Sequence, residues 1–257
     1  MKKILFVATM LAMVLSLSAQ RQMYVWQDGV KTTYEVANVD SITFFNPDPN
    51  TGATGSENGY EYVDLGLSVK WATCNVGASK PEEYGDYFAW GETQPKDYYD
   101  WRTYKYCNGS AYSLTKYCTD SYYGSGIIDN RTTLDWMLDD AAHANWGGSW
   151  RMPTIEEQQE LIDNCTWTWT TQNGVYGYKV TSKKSGYTNK SIFLPAAGGR
   201  YLSSLVYAGS SGVYWSSSLY TDDPGSACLL SFRSDCVYGY GHGGGRVWGN
   251  SVRPVCR

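Results

Sequence analysis

The segment Trp146-Gly147-Gly148-Ser149-Trp150-Arg151-Met152-Pro153-Thr154 runs straight into Ile155-Glu156-Glu157-Gln158-Gln159-Glu160-Leu161-Ile162, and it constrains the fold more than any other stretch. It holds the sharpest helix start in a chain otherwise dominated by strand and turn chemistry. Thr154 is placed to act as N-cap, accepting from the Glu157 amide, while the Glu157 carboxylate reaches back to the Thr154 amide. That is a capping box, and Glu156 and Glu157 also sit at the positive end of the helix dipole. Pro153 fixes the approach of the chain, and Trp150 and Met152 offer apolar surface beside it. The acids of this segment read as caps and solvating groups, with nothing catalytic among them.

Around this segment the chain divides by composition. Lys2 and Lys3, an apolar run over 4–17 and the small residues Ser16-Leu17-Ser18-Ala19 predict a signal peptide over 1–19, cleaved before Gln20 and directing export. The apolar run is shorter than the roughly 20 residues a spanning helix needs, and no second run of that length follows, so no transmembrane segment is expected. Residues 20–46 form a small β-hairpin segment. Two alternating runs flank Gln27-Asp28-Gly29, with Asp-Gly at the bend, and residues 41–45 are placed to add a third strand. Residues 47–59, rich in Pro, Gly, Asn and Thr, read as a linker. The main domain is expected over 60–257.

Within that domain the pattern alternates between short strands and long loops. Strands are expected over 62–72, as two around a glycine turn, and over 84–92, 177–182, 191–195, 213–217, 227–232 and 251–255. Leu134, Met137, Leu138, Ala141 and Ala142 recur at three and four, which predicts a helix over 133–144. Gly147-Gly148 interrupts it before the capped helix begins. Two helices followed by antiparallel strands make an α+β arrangement.

The chain carries a formal charge of −4 over 257 residues, with no basic block, which argues against nucleic acid as a partner. Loss of Lys2 and Lys3 with the leader makes it more acidic still. Its 23 tyrosines, 11 tryptophans and 27 glycines suit an exported, loop-rich β domain with aromatic surfaces. Seven cysteines in an exported chain are disulfide candidates before they are metal ligands. Cys107–Cys118 and Cys228–Cys236 are the expected local pairings. Cys74, Cys165 and Cys256 are left for one long-range bridge and one free thiol, and spacing alone does not fix the connectivity.

Familiar catalytic patterns are sparse. His143 has no partner at metal-ligand spacing, and HExxH, CxxC and GxSxG do not occur. Gly239-Tyr240-Gly241-His242-Gly243-Gly244 spells GxGxxG but lacks the preceding strand and following helix of a phosphate cradle. Adjacent acids such as Asp139-Asp140 and Glu156-Glu157 point apart on a helix, whereas glycoside hydrolysis needs two carboxyl groups facing one bond. The Asp222-Asp223 turn leaves two readings open, a Ca2+ or ligand contact and a plain turn; no other cofactor is expected. What stands out is the aromatic, polar and glycine-rich composition of the last fifty residues. Tyr220, Asp222, Asp223, Arg233, Asp235, Tyr238, Tyr240, His242, Arg246 and Trp248 are the ligand-binding candidates, because rigid amphipathic rings give contact area at low entropic cost.

Several of these segments also carry a family resemblance. Trp150-Arg151-Met152-Pro153-Thr154-Ile155-Glu156-Glu157, Ser191-Ile192-Phe193-Leu194-Pro195-Ala196-Ala197-Gly198, Gly212-Val213-Tyr214-Trp215-Ser216-Ser217-Ser218 and Gly249-Asn250-Ser251-Val252-Arg253-Pro254-Val255 resemble, in order, the Fibrobacter succinogenes major paralogous domain. The run Tyr62-Val63-Asp64-Leu65-Gly66-Leu67-Ser68-Val69-Lys70-Trp71-Ala72-Thr73-Cys74-Asn75-Val76-Gly77 is similar to its opening in Bacteroidetes proteins. A related W-R-L-P-T-x-x-E element occurs in the DUF1566 group and in formylglycine-generating enzymes. The resemblance covers about 60–257 and implies a C-type-lectin-like fold: two helices, short antiparallel sheets and long loops, here preceded by the hairpin.

Departures from those relatives shape the expected function. Formylglycine-generating enzymes carry a closely spaced reactive cysteine pair in an arginine-rich setting, whereas Cys228 and Cys236 lie eight apart without it. The EPN, QPD and WND elements of calcium-dependent sugar-binding lectins are missing too. The chain is therefore expected to be an exported, periplasmic or surface-located, non-enzymatic adhesion domain. Its C-terminal loops would grip a glycan or a surface protein. Three alternatives remain: an enzyme of the formylglycine-generating or glycan-active kind, a structural subunit docking into an envelope or fimbria-like assembly through the N-terminal hairpin, and a binding protein whose segments 220–225 and 234–245 are diversified by a retroelement.

Overall fold

A computed structural model of the chain describes residues 22–27, 30–36, 52–124, 126, 128–239, 241 and 243–257. The leader over 1–19, the third hairpin strand over 41–45, Tyr240 and His242 lie outside these. The chain forms two compact units, Met1–Phe44 and Phe45–Arg257.

In the first unit β1 (Gln22–Gln27) and β2 (Val30–Glu35) pair antiparallel, with Tyr24 opposite Thr33 and Val25 opposite Thr32. The expected hairpin is present. The Lys31 ammonium lies 3.5 Å from the Tyr24 ring centroid, a diagonal contact across the ladder.

The second unit contains β3 (Gly55–Glu57), β4 (Tyr60–Val63), β5 (Lys70–Ala72), α1 (Ala141–Trp146) and α2 (Ile155–Asn164). These are followed by β6 (Cys165–Gln172), β7 (Val175–Ser182), β8 (Ser191–Pro195), β9 (Gly199–Tyr201) and β10 (Ser204–Val206). The last elements are β11 (Ser211–Leu219), β12 (Ser226–Arg233), β13 (Cys236–Tyr238), β14 (Gly243–Gly245) and β15 (Val255–Cys256). It is an α+β unit of short antiparallel sheets. One sheet has the order β15-β5-β4-β3, another β6-β7-β8, and β9 and β10 form a hairpin of their own. In the fourth, β12 is flanked by β11 on one side and by β13 and β14 on the other. No helix among the described residues is long and apolar enough to cross a membrane.

Four expectations are corrected. The linker reading of 47–59 ends too late, because Gly55–Glu57 is a strand paired with β4 and Gly55 lies opposite Tyr62. A side chain at Gly55 would run into the Tyr62 ring, so glycine here marks sheet contact and not slack chain. The helix expected over 133–144 begins only at Ala141. The Leu134 amide bonds to the Ser217 carbonyl, which holds that stretch against β11, and Asp140 then caps α1 by accepting from Ala142 and His143. Met137 and Leu138, which set the helical period, are 63% and 66% exposed and face no core. The aromatic strand expected over 84–92 is an irregular segment with a single bridge, Phe88 to Asn250. Finally, all seven cysteines are free thiols. Strand register explains the Cys228–Cys236 case: Cys236 lies opposite Arg233, five residues along β12 from Cys228, or about 16 Å at strand rise, far beyond disulfide reach. The Cys107 thiol donates to the Trp101 carbonyl at 3.0 Å and the Cys118 thiol to that of Asp120 at 3.0 Å.

The segment from Trp146 to Ile162 joins three parts of this unit. The Trp150 indole donates to the Glu57 carbonyl of β3 at 2.7 Å, and Arg151 and Val255 exchange both backbone bonds. The Ser217 amide of β11 donates to the Pro153 carbonyl at 2.7 Å. The capping box forms, and the Arg151 guanidinium binds Glu157 at 2.7 Å, locking the helix start to the strand beside it. Gln158 reaches across α2 to donate to the Tyr214 and Trp215 carbonyls. The helix therefore carries β11, and β11 carries the sheet it belongs to.

That sheet lies between two cores. Trp215, Ala227 and Leu229 face the first, with Trp90 and Trp150; Tyr214, Leu230 and Phe232 face the second, with Leu65, Trp71 and Leu161. Side chains alternate along a strand, so both faces are apolar where both are covered. Burial of each such side chain contributes about 1.5–3 kcal/mol.

Candidate functional site

On the first face of this sheet the apolar pattern stops. Along β12 the residues of that face are Ala227, Leu229, Ser231 and Arg233, a run from core to charge. Their partners are Trp215 for Leu229, Val213 for Ser231 and Ser211 for Arg233. Tyr238 of β13 lies opposite Ser231 from the other side. The far half of the face is thus left uncovered, and it floors a cleft of about 580 Å3. One wall is the β9–β10 hairpin with Val206 and Tyr207; the other is Gly244, Gly245, Trp248 and Asn250. The glycines of β14 leave the cleft open on that side, since a Cβ at Gly244 would already press on the Leu229 side chain.

The walls are held firmly. Gly198 has φ +65°, and a Cβ there would meet the Val206 carbonyl oxygen and the Ala208 amide nitrogen, so only glycine lets the hairpin close. Leu202, at φ 54°, is held by paired backbone bonds with Tyr99. Trp248 stacks on Tyr201, with centroids 4.7 Å apart and planes at 24°. Tyr207 shares the left-handed backbone of Leu202, with φ 60°, and is 67% exposed. Its carbonyl accepts from the Ser210 and Ser211 amides and the Ser210 hydroxyl. A bulky residue in the left-handed region is an outlier, and such strain gathers at functional sites.

Two polar groups in the lining have no protein partner among the described residues. The Arg233 side chain is exposed and has neither ion pair nor hydrogen bond with the described residues. Asn250 is 3% exposed, and its side-chain amide likewise has no partner among them, although its backbone is paired with Phe88. The Tyr238 phenol is held above its ordinary pKa, first by its hydrogen bond with the Cys236 side chain and then by Coulombic interaction with the same group.

The ten ligand-binding candidates do not form one site. Arg233, Tyr238 and Trp248 line this cleft. Tyr220 and Asp222 line a second, more polar one of about 460 Å3, with Thr154, Glu156 and Cys228. Asp223 shapes its own turn, accepting from the Gly225 amide at 3.1 Å and the Ser226 hydroxyl at 2.8 Å. Asp235 is exposed in the β12–β13 turn and lines neither cleft. Tyr240 and His242 lie outside the described residues. No group of three or more His, Cys, Asp or Glu side chains among the described residues is placed to hold a metal ion.

Arg246 is a correction. Expected on a binding loop, it is fully buried: its guanidinium donates to the Tyr104 hydroxyl and to the carbonyls of Lys116, Tyr117 and Pro224, and lies 4.9 Å from the Trp90 ring centroid. Five donors in a fixed fork suit Arg to this task. It fastens the 104–117 loop to the chain leaving β14, and a ligand cannot reach it. Conversely, Tyr207, Ser231 and Asn250 were not singled out by composition. The shift from Leu229 to Ser231 and Arg233 was the signal available for the floor. Compared with protein-family models, curated proteins and solved structures, the chain matches none.

Proposed function

We propose that the chain is an exported, non-catalytic binding domain of the C-type-lectin-like class. In this reading it resembles the Fibrobacter succinogenes major paralogous domain and seats a glycan or a surface protein in the cleft above β11–β13. The observation that carries this is Tyr207, a large ring held in a left-handed backbone conformation and turned to solvent at the cleft wall. Stability alone favours glycine at such a position. Trp248, Tyr238 and Tyr207 offer ring faces, while Ser231, Asn250 and Arg233 offer donors. Apolar walls with a few convergent polar groups are the chemistry of a ligand site.

The test is an array of glycans and surface proteins probed with the full chain and with Trp248→Ala. A ligand bound by the former and weakened at least tenfold in the latter is the expected result. A ligand bound equally by both would place the site elsewhere.

A further inference from the structure

The cleft presents a cation at the polar end of its floor. The protein as a whole is acidic, with a formal charge of −4. Several of its buried or partly buried cations are committed. Lys96 pairs with Glu92 at 2.9 Å, Arg151 with Glu157, and Lys116 with Asp139. Arg246 and Arg253 are buried among carbonyl groups. Arg233 is different: it ends the polar half of the sheet face, lines the cleft, and has no acidic partner within ion-pair distance. The described lining contains no carboxylate to neutralise it.

Asn250 is the second, independent feature. Its side-chain amide has no hydrogen-bond partner among the described residues and is not sealed from solvent, so it is open to a group in the cleft. It lines the same cleft, beside Trp248. An amide both donates and accepts, which matches a sugar hydroxyl, whereas a guanidinium only donates, in a fork that matches a carboxylate.

From these we infer that the occupant of the cleft is an acidic glycan, with Arg233 binding a ring carboxylate, Asn250 meeting ring hydroxyls, and Tyr207, Tyr238 and Trp248 supplying stacking faces. This rests on the binding reading above and names its ligand class. Leu229 to Arg233 spans about 13 Å along β12 at strand rise, enough for more than one sugar ring. The exposed rings favour a glycan over an acidic peptide, because sugar faces are flat and apolar where peptide carboxylates are carried on flexible stems.

The experiment compares an oligosaccharide of uronic acids with the same oligosaccharide methyl-esterified, by calorimetry with the full chain and with Arg233→Gln, Arg233→Lys and Trp248→Ala. Arg233 is exposed, so its variants are expected to melt with the wild type. The expected result is free acid bound at least tenfold more tightly than ester by the wild type, that ratio falling to about one in Arg233→Gln. Arg233→Lys should recover only part of it, since an ammonium lacks the fork. Equal binding of acid and ester, lost in Trp248→Ala, would overturn the carboxylate assignment and leave the cleft as a site for neutral glycans. Retention of the preference in Arg233→Gln would also overturn it. If the wild type binds neither form, or binds a polyglutamate peptide instead, the acidic-glycan assignment is wrong. The array result with Trp248→Ala then decides separately whether the cleft binds anything.

Discussion

Tyr207 shows how a single residue can be set against stability. A left-handed conformation costs an L-residue about 1–2 kcal/mol, while glycine adds about 0.5–1 kcal/mol of unfolded-state entropy. Tyr207→Gly is therefore expected to leave stability unchanged or raise it by up to about 1 kcal/mol in urea titrations, while ligand affinity falls. Loss of stability would mean that the ring is structural. Asp140 poses the opposite problem. Burial pushes its carboxyl up to about 6 from an ordinary 3.8, although the Met152, His143 and Ala142 amides donate to it. A folded-state pKa above the unfolded one means that the protonated acid favours folding. Its contribution is full below pH 3.8 and is lost as pH rises through about 6. The stability difference between wild type and Asp140→Asn should therefore change across pH 4–7, with the wild type losing stability relative to the variant as pH rises. Parallel profiles would show that the carboxyl titrates normally.

At the scale of elements, local signals were legible and long-range ones were not. The capping box at Thr154 and Glu157 involves four consecutive residues and forms as the sequence indicates; Thr154→Ala should cost about 1 kcal/mol in thermal or chemical unfolding. The helical period through Leu134, Met137 and Leu138 misled because Leu134 is claimed by β11, a partner more than eighty positions away. Strands β9 and β14 escaped notice for a different reason. Gly199 and Gly243–Gly245 have no side chains, so no alternation can announce them. The half-covered face of β12 was written in its residues, yet reading it required knowing that Trp215 and Leu229 share a core. Gly198 is the element-scale test. Its φ and its contact with backbone atoms predict that Gly198→Ala destabilises by about 3 kcal/mol or more, and that it loosens the wall carrying Tyr207.

Across the whole molecule, two buried arginines tie the C-terminal run to distant loops. Arg253 donates to the Ala72, Thr73 and Phe193 carbonyls and to the Asn75 side chain, joining β5, β8 and the approach to β15. Arg253→Met keeps bulk but leaves those acceptors unsatisfied, at an expected cost of about 3 kcal/mol or more in equilibrium unfolding. A loss below 1 kcal/mol would mean that water replaces the guanidinium without penalty. These anchors, together with the segment from Trp146 to Ile162, make the cleft a rigid, preformed surface. The most direct check follows the indole N–H resonances of the 11 tryptophans during titration with the ligand found on the array. The Trp248 resonance should shift while those of the buried Trp90, Trp150 and Trp215 stay in place. A ligand that moves other indoles and leaves Trp248 untouched would contradict the assignment of the cleft as the binding site.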